Sequence, residues 1–199
     1  FMRVEMLSIA DFYNNVDEVR NFAMQQEFLG EEAHFPGKRT KSFLNDSVKE
    51  IIQSTMRPFA GDVTWWGDHN SGAFQYTTAA DRSWIHSDGN ADWAGVLYLT
   101  PDAPLSSGTG IFKHKATGLR NWIYKDHFTE EDKYGVKDAP HRGADSVDYT
   151  KWEMVDRIGN MYNRLIIYRG DLFHVSLDYF GKDLQTGRLF QTFFFNTEK

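Results

Sequence analysis

The sequence predicts a mainly β chain with flanking helices. Two patterns carry that expectation: helical spacing is confined to the residues before 57, and short β-branched or aromatic runs bounded by turn residues take over from Val63. In the first region Ala10, Phe12, Val16, Val19, Phe22, Ala23 and Phe28 recur at roughly helical intervals, with Asp17 and Glu18 near a start at Asn14 or Asn15. Phe35-Pro36-Gly37-Lys38-Arg39 reads as a turn. Ser47 to Met56 reads as a second helix with Val48, Ile51, Ile52 and Met56 inward. Strands are then expected at Val63–Trp66 and Phe74–Thr78, around the His86 segment, at Gly95–Thr100 and Ser107–Phe112, before His174, and from Arg188 to Phe195. Lys113 to Asp156 is charged and irregular. It reads as an insertion that covers the site as a lid or recognition element, with Trp122, Tyr124, Phe128 and Trp152 available to pack it down.

Composition narrows the function. A chain of 199 residues with 41% hydrophobic content can bury one sizeable core, and no shift in composition divides it. The formal charge of -6 disfavours nucleic acid as a partner, because phosphate contact draws on a basic surface. Without cysteine there is neither a disulfide framework nor a thiolate metal site. No apolar run has the length of a membrane span and no signal peptide is read, so a cytoplasmic location is the default expectation.

The chemistry concentrates in His86-Ser87-Asp88 and, 86 residues after that carboxylate, His174. Two imidazoles and one carboxylate form the facial ligand set of non-haem Fe(II), which leaves the remaining positions open. On an extended strand an i, i+2 pair projects to one face, so His86 and Asp88 can supply two adjacent ligands. His174 follows an apolar run, Leu165-Ile166-Ile167-Tyr168, and a Gly170-Asp171 turn. Arg188 stands 14 residues beyond His174, at the head of the aromatic run Leu189-Phe190-Gln191-Thr192-Phe193-Phe194-Phe195, where a guanidinium would make a fork for a carboxylate. Lys182, in a polar Gly-flanked loop, is the rival cation. His114, His127 and His141 match no compact ligand spacing, and His34 and His69 are equally unsupported as ligands.

Four elements in order resemble one family. They are the His86-Ser87-Asp88 segment, the strand Gly95-Val96-Leu97-Tyr98-Leu99-Thr100, the small-residue strand Ser107-Gly108-Thr109-Gly110-Ile111-Phe112, and the strand into His174 followed by Arg188. Together they are similar to the Fe(II)- and 2-oxoglutarate-dependent oxygenases, in the compact prolyl-hydroxylase-like branch. The resemblance implies a double-stranded β-helix core (jelly-roll, cupin-like) in one domain over 1–199, with N-terminal helices over 10–57, core over 62–112 and 158–197, and insertion over 113–157. It implies Fe(II) on His86, Asp88 and His174, 2-oxoglutarate as co-substrate on Arg188, and O2 as oxidant. The family's interval from distal histidine to basic residue is often shorter, and the polar stretch Asp178–Gly187 reads as the turn that absorbs the difference. Gln75, Tyr76, Tyr98 and Thr109 fall where relatives contact 2-oxoglutarate. Trp84, Trp93, Arg82 and Asp92 flank the ligand pair and are candidates for the substrate entrance.

The implied reaction hydroxylates a C–H bond of a peptide side chain or small metabolite, with release of succinate and CO2. Two other readings remain open from the sequence: a cupin-like metalloprotein that does not use 2-oxoglutarate, and a barrel that serves only as a binding module.

Overall fold

The structure is a computed structural model that describes residues 3–30, 35–89, 91–122 and 143–199. Calls on His34, Tyr124, His127, Phe128 and His141 lie outside these residues, as does the middle of the expected lid. Among the described residues the chain is mostly β with two α-helices and two antiparallel sheets.

The elements are β1 (Met6–Ile9), α1 (Val16–Met24), β2 (Lys38–Ser42), α2 (Asp46–Ala60), β3 (Val63–Trp66), β4 (Ala73–Thr77), β5 (Trp93–Tyr98), β6 (Thr109–His114), β7 (Trp152–Ile158), β8 (Leu165–Arg169), β9 (His174–Ser176) and β10 (Arg188–Thr197). The large sheet runs β1-β8-β5-β10-β4-β2, with β3 paired to the far end of β10. The small sheet runs β7-β6-β9.

Three elements depart from the expected pattern. The first helix starts where expected, with Asn15 at its cap, but ends at Met24, short of Phe28; before it, Phe12 N donates to Asn163 O at 3.1 Å and Tyr13 N to Asn163 Oδ1 at 2.9 Å. β2 occupies the end of the expected turn. Its residues Lys-Arg-Thr-Lys-Ser carry no apolar alternation, so an edge strand is hidden in a polar run. The turn itself is real at Gly37, whose φ is 77° and where a Cβ would stand 2.0 Å from Tyr76 O. β7 lies within the expected insertion and pairs antiparallel with β6, although its central residues are exposed.

α2 begins as its sequence suggests: Asn45 Oδ1 caps the helix by accepting from Val48 N at 3.0 Å. The helix runs past Met56 through Pro58 and stops at Gly61, whose φ is 78°. Its inward residues Val48, Ile52, Met56 and Ala60 pack on one face of the large sheet against Phe74, Leu97, Leu189, Phe193 and Phe195. Each large side chain buried there contributes roughly 1.5–3 kcal/mol.

Period-two alternation sends the neighbours of those residues to the opposite face. Ala94, Val96 and Tyr98 of β5, Ile166 and Tyr168 of β8, and Phe190 of β10 form a second cluster with Ile111 and Ile158 of the small sheet. The two sheets therefore face each other as in a β-sandwich, and the cavity described below opens between them.

Candidate metal and carboxylate site

His86 and Asp88 do not sit in a sheet ladder. A single antiparallel bridge joins His86 to His174, with His86 N donating to His174 O at 3.0 Å and His174 N to His86 O at 2.8 Å. Asp88 N donates to Gly170 O at 2.7 Å. At Gly170 a Cβ would stand 2.2 Å from Ala91 O, so only glycine lets the turn after Asp88 come this close. Backbone bonds to the 170–174 segment thus do the work the sequence reading gave to a strand.

The three side chains converge. His174 Nε2 lies 3.2 Å from Asp88 Oδ2 and His86 Nε2 lies 3.6 Å from Asp88 Oδ1. One donor atom from each residue falls within 4.8 Å of the others, the separation a single metal ion can bridge. Both rings bond in the same sense. His86 Nδ1 is 2.9 Å from Trp84 O and His174 Nδ1 is 2.8 Å from Leu172 O, so each Nδ1 carries the proton and each Nε2 is left to ligate.

The three groups shift one another's titration in opposite directions. Burial acts against the His174 cation, yet contact with Asp88 outweighs it and raises the His174 pKa above the ordinary value. Burial also acts to raise Asp88, and the fields of His174, His86 and Arg39 overcome it, keeping the carboxylate below its usual range. His86 is lowered, first by burial and then by neighbouring His174. The group titrates as a unit, with the shared proton on the His174–Asp88 side.

The triad opens on a cavity of about 1320 Å³ lined by Thr109, Tyr168, Ser176, Phe190, Thr192 and Phe194 on the sheet side and by Phe35, Arg39, Trp65, Asn70, Gln75 and Trp84 towards its mouth. Arg188 opens β10 on the same side of that strand as Phe190, Thr192 and Phe194, and it is 0% exposed. Its guanidinium lies 4.4 Å from the Phe190 ring centroid and 5.5 Å from that of Tyr98. Nε donates to Ser107 O at 2.9 Å and Nη2 lies 3.4 Å from Gly108 O, but Nη1 has no hydrogen-bond partner. Its cross-strand neighbour Thr77 has a buried, unpartnered Oγ1. Tyr179 Oη makes no well-formed bond either, with Ser83, Ser176 and Arg188 around it. Buried donors and acceptors without partners cost about 1–3 kcal/mol each, so this group has the character of a receptor for a polar ligand.

The other expected residues divide. Tyr98 Oη and Thr109 Oγ1 are 2.8 Å apart beside Arg188. Gln75 faces the cavity, but its Oε1 accepts from Arg39 and its Nε2 donates to Pro36 O at 2.6 Å. Tyr76 alternates to the opposite face and packs edge-on against Phe28 with the helix-side core, so the structure does not bring it to the site. Lys182 is exposed in its loop. Trp84 lines the cavity. Trp93 instead is buried in the helix-side core, Arg82 bonds to Ala79 O and Asp81 O, and Asp92 accepts from Thr197 N. His114 braces the small sheet, its Nε2 2.9 Å from Asp145 Oδ2 and its Nδ1 3.0 Å from Thr117 Oγ1. Sequence reasoning missed Arg39, Tyr179 and Thr77; of these only Thr77, one strand-step from Gln75 in a read strand, carried a usable signal.

The fold is shared with solved structures. HygX from Streptomyces hygroscopicus with nickel and 2-oxoglutarate bound superposes with a TM-score of 0.60 at 11% identity, over 98% of this chain and 83% of that one. With hygromycin B also bound, the same protein gives 0.58 at 11% identity and the same coverage. The prolyl hydroxylase from Trichoplax adhaerens, in complex with a hypoxia inducible factor oxygen degradation domain peptide fragment, gives 0.53 at 11% identity over 96% of this chain and 83% of that one. No curated protein matches the sequence. At these identities the likeness concerns the fold. Residues 2–195 match the profile described as "Family of unknown function (DUF6445)", and the chain belongs to that family.

Proposed function

We propose that the chain is an Fe(II)- and 2-oxoglutarate-dependent dioxygenase, a single domain built on a double-stranded β-helix, that hydroxylates a C–H bond of a small metabolite or peptide side chain. The observation that carries this reading is the pairing of two features: a His-Asp-His cluster on the cavity with both Nε2 atoms turned towards the shared carboxylate, and a buried guanidinium with an unpartnered Nη1 behind Phe190, which lines that cavity. The neighbours solved with nickel and 2-oxoglutarate, or as a prolyl hydroxylase with its peptide, support it at the level of fold.

The donor set suits Fe(II), since two imidazoles and one carboxylate neutralise part of its charge and leave positions for other ligands. Bound there, the metal would use O2 to put one oxygen atom into the substrate C–H bond and the other into succinate, as 2-oxoglutarate loses CO2. The remaining work falls to the chain. Trp84 O and Leu172 O fix the ring orientations. Arg188 takes the distal carboxylate of 2-oxoglutarate in charge-assisted bonds, with Thr77 and Tyr179 positioned to complete its shell. Tyr98 and Thr109 hold the adjoining wall by their mutual hydrogen bond. Apolar Val96 and Phe190 line the path and keep water from the co-substrate.

The test is anaerobic titration of the Fe(II)-loaded protein with 2-oxoglutarate, following the weak visible charge-transfer band of the chelate. A saturable band that weakens in the Arg188→Gln variant is the expected result. Bound iron with no band would move the reading to a cupin-like metalloprotein, and no iron binding would move it to a binding module.

A further inference from the structure

Arg39 lines the cavity on which the triad opens, and nothing in the proposed handling of 2-oxoglutarate uses it. It sits on β2, which pairs with β4 so that Arg39 lies opposite Gln75. Its guanidinium is held on three sides. Nε and Nη2 donate to Gln75 Oε1 at 2.9 and 2.6 Å, Nη1 donates to Asn70 Oδ1 at 2.9 Å, and the group stacks 3.8 Å from the Phe35 ring centroid. Gln75 is itself fixed through Pro36 O.

All of these partners are neutral. Among the described residues no carboxylate stands within ion-pair distance of Arg39; Asp88, the acidic group whose field reaches it, is engaged with His174. Burial lowers the Arg39 pKa to about 10, which still leaves it charged at neutral pH. A desolvated cation braced by neutral amides is a preorganised anion receptor. A guanidinium has five N–H donors; with Nε and one hydrogen of each Nη in use, one donor remains on each Nη to meet an anion in charge-assisted bonds.

The surroundings define the rest of the ligand. The cavity, at about 1320 Å³, exceeds the roughly 300–1,000 Å³ of a typical pocket for one ligand, so it has room for a second organic molecule beside 2-oxoglutarate. Its lining carries aromatic surface that the core clusters do not use: Trp65 is 40% exposed, and Phe35 and Trp84 join it. Aromatic walls with one oriented cation select an apolar, ring-sized body bearing an acid group.

We propose that Arg39 is the recognition residue for the primary substrate, and that this substrate is a carboxylic acid with an aromatic-sized apolar body whose carboxylate takes the two free Nη donors. The inference rests on the reading above only in assigning Arg188, rather than Arg39, to 2-oxoglutarate.

The experiment uses the full chain loaded with redox-inert Ni(II) and saturated with 2-oxoglutarate. Two probes are titrated calorimetrically: 3-(indol-3-yl)propionate and its uncharged primary amide. Wild type is expected to bind the acid at least about tenfold more tightly than the amide, the scale of one charge-assisted pair. Arg39→Gln should lose that preference, while its affinity for 2-oxoglutarate, measured with Ni(II) alone, stays within about twofold. Arg39→Lys, which keeps the charge but not the two Nη donors, should retain part of the preference; should the Gln variant not fold, the Lys variant and the wild-type acid-to-amide ratio decide. Equal binding of the two probes by wild type, or no binding of the acid at millimolar concentration, overturns the proposal. So does an Arg39→Gln variant that loses 2-oxoglutarate as strongly as it loses the acid. Failure of the oxygenase reading shows up separately, as wild type that binds no 2-oxoglutarate with Ni(II).

Discussion

The two guanidiniums proposed to bind carboxylates, Arg188 and Arg39, are fixed in opposite ways. Arg188 is wholly buried and bonds to main-chain oxygens of Ser107 and Gly108, so the turn before β6 sets its position whatever side chains surround it. Arg39 is partly exposed and is held by the side chains of Gln75, Asn70 and Phe35, on a strand added to the edge of the large sheet. A cation set by backbone suits a ligand that never changes. One set by side chains can be moved by a single substitution, which is where specificity can be adjusted without disturbing the chemistry.

The largest effect should come from the proposed metal ligands. His174→Ala or Asp88→Ala is expected to weaken Mn(II) or Ni(II) binding more than about 100-fold, beyond the 10–100-fold typical of losing a supporting group. Calorimetric titration measures this, with circular dichroism to show that the fold persists. Binding that survives either change would place the metal elsewhere.

Arg188→Gln comes next. Losing a buried charge-assisted contact worth about 1.5–3 kcal/mol should weaken 2-oxoglutarate roughly 10- to 100-fold while leaving the acid-over-amide preference in place. If both fall together, the two ends of the cavity are not independent.

Metal affinity should also fall with pH. The raised His174 pKa means that metal must displace a proton, so affinity drops about tenfold per pH unit once the pH is below that pKa. In the metal-free protein the same shift has the opposite sense: His174 contributes stability below its unfolded value near 6.5, lost as pH rises through the folded value. His86, whose pKa is lowered, stabilises above the unfolded value and opposes it. Metal titrations between pH 5.5 and pH 8 read the first effect, and a pH-independent affinity would show that no proton is displaced.

How much of this was legible depended on where each signal lay. The candidate ligands stood out because two of them are two residues apart and the third follows an apolar strand; β5, β8 and β10 stood out because their apolar runs are long, and β6 by its small residues. The same runs hid which face each side chain takes. Gln75 and Tyr76 are adjacent, and only the pairing of Gln75 with Phe190 across β4 and β10 sends one to the cavity and the other to Phe28. Arg39 was invisible for a different reason. Its strand has no apolar pattern, and its role depends on Asn70, Gln75 and Phe35 meeting it from separate segments. Tyr179 likewise gains meaning only through its nearness to Arg188 and to Ser83, 96 residues earlier in the chain.

Gln75 gives the finest test of the separation between the two ends, since its position in sequence suggested a contact to 2-oxoglutarate and its bonds point to Arg39. Oε1 accepts both Arg39 donors, and one hydrogen of Nε2 goes to Pro36 O, which leaves a single N–H for anything else. Gln75→Leu keeps much of the volume and removes both braces. The guanidinium would then be free to rotate towards solvent, and the acid probe should weaken about three- to tenfold, less than in Arg39→Gln because the charge remains. The 2-oxoglutarate affinity should change by less than about twofold. A larger loss of 2-oxoglutarate than of the acid would return Gln75 to the co-substrate.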